Sequence, residues 1–251
     1  MLRNFTTDPI GTLIGLLYVL PAILIALVMH ELAHAYVAWR LGDPTAKYMG
    51  RLSFNPLRHL DPIGTLLLVV VGFGWAKPVP IDPRYFKHPR RDDFLVSIAG
   101  ITVNFILFFV SAMLFLSLHR FAGWYTACDH ANVLKCLSAP HVHLVGEGQS
   151  LLWYPTYIMG FIKVFATINA ALMIFNLLPL PPLDGFHVVN TVILRGSLYM
   201  DRRLMLAGQI LLVVGLVSGV LIMILTVARG ALFTAAAWVF DGIVKLVTHI
   251  L

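Results

Sequence analysis

Met29-His30-Glu31-Leu32-Ala33-His34-Ala35 is the stretch of this chain whose residue types could do chemistry. On a helix, positions four apart share a face, so His30 and His34 present two imidazoles side by side. That spacing suits two ligands of one tetrahedral zinc, which lowers the pKa of bound water towards ~7. Glu31, between the histidines, is the carboxylate that such sites use as general base during attack on a carbonyl. Three fixed positions recur by chance in many chains, so the surroundings decide. Residues 10–29, directly before the histidines, carry no charge. Ionisable groups facing lipid are costly, and in a membrane helix they mark a functional site.

The elements that must position this motif follow from composition. Of 251 residues, 59% are apolar and only 12% charged. Several apolar runs reach the ~20 residues needed to cross a bilayer. The expected architecture is an all-α polytopic membrane protein, a single membrane-embedded domain over residues 1–251. About six membrane segments are expected, including a short re-entrant one and a Pro-broken helix. The net charge of +6 does not point to nucleic acid, because Lys and Arg flank the apolar runs, where they act as topology signals. The two cysteines form no CxxC pair. The N-terminus does not read as a cleavable signal, since its apolar run is too long and leads straight into the histidines.

The first span is expected over residues 10–41, with a kink at Pro21 and a stop at Gly42-Asp43-Pro44. Residues 44–60 are polar and turn-rich. The apolar run 66–74 is too short to span and reads as re-entrant. Residues 74–83 carry prolines at 78, 80 and 83, which forbid a helix and leave an extended edge or polyproline-like loop. Further spans are expected over 94–118, with Gly100 and Asn104 on one face, and over 151–178, with Lys163 inside. Residues 119–150 form a polar loop holding Cys128 and Cys136, which could pair, and His130, His141 and His143. After Asn176, Pro179, Pro181 and Pro182 break the helix, and Asp184 follows. Such a break is tolerated at membrane depth only where protein or a water-filled cavity surrounds the freed backbone. The last two spans are expected over 204–228 and 231–251, parted by Arg229 and Gly230.

Most basic residues of the connections fall on one side: Lys47, Arg51, Arg58, Lys77, Arg84, Lys87, Arg90, Arg91, Arg195, Arg202 and Arg203. Arg3, Arg120, Lys135 and Arg229 fall on the other. The first side is therefore cytoplasmic, in a multi-pass protein of the cell (inner) membrane. The histidine motif and Asp184 both emerge there. Together His30, His34 and Asp184 supply the three protein ligands of a catalytic zinc, one ion per chain, with a fourth position open for water.

With these residues the sequence resembles the site-2 protease family of intramembrane zinc metalloproteases. The resemblance rests on His30-Glu31-Leu32-Ala33-His34 and on Asn176-Leu177-Leu178-Pro179-Leu180-Pro181-Pro182-Leu183-Asp184-Gly185. Between them, residues 55–65 and 74–80 look like the compact bacterial and archaeal branch, with no room for PDZ or CBS domains. The resemblance implies hydrolysis of a peptide bond in or near a transmembrane helix of a membrane-protein substrate. It implies zinc on His30, His34 and Asp184, and water activation by Glu31. Asn176 would bind or polarise the scissile peptide, and Asn104 would match a catalytic membrane-helix asparagine. That asparagine often follows Gly-Pro, whereas here Gly100-Ile101-Thr102-Val103 precedes it.

Two other functions compete. A metal-binding membrane transporter would also use broken helices, but it does not explain Glu31 between the ligands. A catalytically silent, helix-binding member conflicts with the intact Glu31. A membrane-helix substrate must unwind before its carbonyls are free. The extended edge at 74–83 would hold it by strand addition, through the N–H groups of Trp75, Ala76, Lys77, Val79 and Ile81.

Overall fold

The computed structural model describes residues 9–71, 74–121, 153–194 and 202–250. The chain is all-helical, with no named strand among the described residues. Eight α-helices are described, α1 (Pro9–Arg40), α2 (Thr45–Tyr48), α3 (Pro62–Val71), α4 (Pro89–Phe121), α5 (Trp153–Leu177), α6 (Asp184–Val192), α7 (Arg202–Val217) and α8 (Val220–Ile250), with short 3₁₀ helices at Pro56–Arg58 and Pro83–Tyr85. Parts of α1, α4, α5 and α8 are long and apolar enough to cross a membrane. The protein is a membrane protein.

Pro21 lies inside α1 without ending it. The helix stops at Gly42, whose φ of +110° lies in the left-handed region that a side chain would strain. Asp61 starts α3 by accepting the Gly64 N–H at 2.8 Å, a cap whose loss typically costs ~1 kcal/mol. At ten residues α3 is about 15 Å long, half a bilayer core, as its sequence predicts. Residues 74–82 contain no helix. Their one β contact is an antiparallel bridge between Ala76 and Leu60, where the Lys77 N–H donates to the His59 carbonyl at 2.8 Å.

The centre of the molecule is α4, which packs against α1, α5, α6 and α8. Phe108 and Ala112 of α4 meet Ala166 and Ala170 of α5 and Phe233 and Ala236 of α8. Phe108 and Phe233 stand edge to face, 5.1 Å apart. On α1, Ala22, Ala26, Ala35 and Ala38 are fully buried. Small side chains let helix backbones approach in lipid, where no hydrophobic effect draws them together. Lys163 of α5 is buried rather than reaching out to the interface.

One expectation changes. The boundary between the last two helices is not at Arg229-Gly230, which lie inside a continuous α8. It is at Ser218-Gly219, where Gly219 takes φ +78°. A glycine in the left-handed region ends a helix, whereas Gly230 within a long apolar helix costs only ~1 kcal/mol. Arg229 therefore marks no connection. Four candidate spans are present among the described residues, so the count of about six is not confirmed: α3 is the short segment expected to be re-entrant, and the sixteen-residue α7 falls short of a span. Residues 122–152, with Cys128, Cys136 and the loop histidines, lie outside the described residues.

Candidate metal centre

His30 and His34 lie one turn apart on α1, and Asp184 is the first residue of α6, directly after the proline break. The structure brings all three together. His30 Nε2 and His34 Nε2 are 3.1 Å apart, and each is 3.2 Å from Asp184 Oδ2. Both histidines are buried.

The protonation of the two rings is fixed by what lies behind them. The Val96 carbonyl can only accept, so the Nδ1–H of His34 donates to it, at 2.7 Å. His30 is held by a relay. The Phe165 carbonyl accepts from Asn169 Nδ2 at 2.8 Å, which leaves Asn169 Oδ1 to accept from Asn104 Nδ2 at 3.2 Å. Asn104 Oδ1 then accepts from His30 Nδ1 at 2.9 Å. Each amide is oriented by the next, and the chain ends on a group that cannot donate. Both Nε2 atoms are thus left as lone pairs aimed at one point. Asp184 Oδ2 is buried there with no hydrogen-bond partner.

Three acceptors facing each other at 3.1–3.2 Å repel unless a cation joins them. The edge of a tetrahedron with ~2.0 Å ligand bonds is about 3.3 Å, so the donor set and its spacing fit a zinc ion. Two imidazoles and one carboxylate are a ligand set of catalytic zinc, and they leave a fourth position open.

Gly100 of α4 forms the wall behind the pair. A Cβ there would stand 2.7 Å from His30 Nδ1 and would collide with His34 Nε2. Glu31 sits on the same turn of α1, and its Oε2 accepts the Val79 N–H at 3.1 Å. The 74–82 stretch is thereby tied beside the site. Its far end is tied too, since the fully buried Asp43 accepts the Asp82 N–H at 2.8 Å.

The family model for peptidase family M50 matches residues 18–222, most of the chain and both halves of this centre. The chain belongs to the site-2 protease family. It is 40% identical over 176 residues to "Putative zinc metalloprotease YwhC" of Bacillus subtilis (strain 168), covering 70% of this chain and 69% of that one. It is 28% identical over 246 residues to "Putative zinc metalloprotease Rip2" of Mycobacterium tuberculosis (strain ATCC 35801 / TMC 107 / Erdman), covering 96% and 79%. No solved structure matches the chain. This site-2 protease is a zinc metalloprotease, and zinc is its cofactor.

Two asparagines expected at the reaction stand differently in this zinc metalloprotease. Asn104 is fully buried, with both amide atoms engaged, so it orients His30 rather than meeting the outside. Asn176, on the last turn of α5, donates from Nδ2 to the Leu172 carbonyl of its own helix at 3.1 Å. Asn169 was not singled out by sequence reasoning. Its signal was present, as an uncharged amide inside an apolar span is costly unless paired. Nothing in the spacing of residues 104 and 169 announces that they meet.

Proposed function

We propose that this zinc metalloprotease is an intramembrane endopeptidase, hydrolysing a peptide bond in or near a transmembrane helix of a membrane-protein substrate. The carrying observation is the convergence of His30, His34 and Asp184, with Glu31 on the same helix turn, within the apolar candidate span of α1. The supporting positive-side bias puts this site towards the cytoplasm, in the cell membrane. His30, His34 and Asp184 hold the metal, which when bound polarises water and carbonyl. Glu31 takes the proton from the attacking water. The Val79 N–H donates to the Glu31 carboxylate and fixes it in place. Asn176 offers its amide to the scissile peptide.

The unwound substrate pairs with residues 74–82. The N–H groups of Lys77 and Val79 already serve His59 and Glu31, and Pro78 and Pro80 have none. The free edge therefore offers the substrate mainly carbonyls, which accept from substrate N–H groups.

The test compares wild type with Glu31→Gln and Asp184→Ala. Glu31→Gln keeps zinc and loses turnover by ~10²–10⁴-fold, the span general acid–base catalysis contributes. Asp184→Ala weakens zinc binding, because only the two histidines remain to hold the ion. Quantitative proteomics of the membrane fraction then shows single-span proteins stabilised in the Glu31→Gln cells. Unchanged turnover in Glu31→Gln would remove the general base from the reading.

A further inference from the structure

Along one face of α4, positions 93, 96, 100 and 104 follow helical spacing. Three of them meet the metal centre: the Val96 carbonyl orients His34, Gly100 gives both rings room, and Asn104 orients His30. The fourth, Asp93, does not touch the ligands. It meets α6, the helix that begins with Asp184. Asp93 Oδ2 lies 3.5 Å from His187 Nδ1 and 3.2 Å from the Thr191 hydroxyl. That hydroxyl also lies 2.6 Å from the His187 carbonyl, so its single proton is shared between this carbonyl and the Asp93 carboxylate. Asp184, His187 and Thr191 are i, i+3 and i+7, one face of α6.

α6 needs such a grip. It has nine residues, far fewer than the ~12–15 that let an isolated helix persist. No side chain caps its N-terminus. The loop before it must also run close, since a Cβ at Gly185 would collide with the Leu177 and Leu178 carbonyls. The Asp93 carboxylate beside His187 raises that imidazole's pKa against the opposing effect of burial, which strengthens the tie.

We propose that Asp93 is a positioning residue for Asp184. Gripping α6 through His187 and Thr191, it sets where the third carboxylate stands against the two histidines. One face of α4 then serves all three ligands, each through a separate contact. The proposal rests on Asp184 being a zinc ligand.

The experiment measures zinc affinity of the purified full-length protein by competition with a chromophoric chelator. Asp93→Ala is placed in the wild-type and the Asp184→Ala backgrounds. Loss of an outer contact to a ligand typically weakens metal binding about 10–100-fold, and that is the expected drop in wild type. In the Asp184→Ala background Asp93→Ala should cost nothing more, because the group it aims is gone. A general loss of folding would give the same drop in both. The His187→Ala/Thr191→Val double variant cuts the tie from the other helix and should give the same pattern, so the question stays answerable if Asp93→Ala folds poorly. Wild-type affinity in both variants, or equal losses in both backgrounds, overturns the proposal. Wild-type affinity in Asp184→Ala alone instead overturns the ligand reading on which it stands.

Discussion

Gly100 shows how one missing carbon can decide a metal centre. Alanine at this position would favour the α4 helix by up to ~1 kcal/mol. Its Cβ, however, would occupy space the two imidazoles hold. Overpacking a buried site typically costs about 1–3 kcal/mol, which outweighs that gain. Gly100→Ala is expected to lower the melting temperature of the zinc-free protein and to weaken zinc at least about tenfold, as displaced ligands do. Zinc titration beside thermal melting checks both signs. The sequence made His30, His34, Glu31 and Asp184 legible because ligand chemistry allows few residue types at few spacings. It placed Gly100 and Asn104 on one helix face, and only the resemblance gave Asn104 a role, since which helix they face is a tertiary fact. Asn169 was hidden for the same reason.

At the scale of elements, the non-helical stretch 74–82 joins several jobs. Prolines at positions 78 and 80 dictated its lack of helix, and the structure agrees there, whereas Pro83, expected in the same stretch, opens a 3₁₀ helix over Pro83–Tyr85. Its ties to His59, Glu31 and Asp43 were not legible, because each partner is far away in sequence. The tie to Glu31 runs through the backbone, so what matters at position 79 is the N–H rather than the side chain. Val79→Pro should keep zinc but lower kcat about tenfold or more, on a short soluble peptide as well as on a helical substrate. Val79→Ala should be close to wild type. Steady-state kinetics with zinc content measured on the same samples separates these outcomes. Normal kcat in Val79→Pro would show that this N–H does not hold the base. The helix boundaries followed the same logic: Gly42 ended α1 as expected, while the sequence did not show which of Gly219 and Gly230 would take a positive φ.

For the whole molecule, the centre is built by α1, α4, α5 and α6, with α7 and α8 outside it. α7 still matters, because Gly208 lets it press against the Pro181 carbonyl, behind the break that delivers Asp184. The exposed apolar side chains of α7 and α8, among them Leu211, Val213, Val217, Trp238 and Leu246, face hydrocarbon in a membrane protein. The proposed orientation is open to test in intact cells. With Cys128 and Cys136 replaced by serine, Lys87→Cys should resist an impermeant thiol reagent added outside and react once the membrane is opened. Labelling from outside would invert the topology.

The distance along the chain between the ligands carries a consequence for synthesis. His30 and His34 enter the membrane on α1, whereas Asp184 is translated 150 residues after His34. Until then the nascent chain owns two imidazoles and a poised carboxylate but no third ligand, and α4, which orients both rings, arrives only in between. The metal centre thus stays incomplete until α6 has been made and docks. Newly inserted neighbours, and the growing chain itself, meet no complete centre before the third ligand exists.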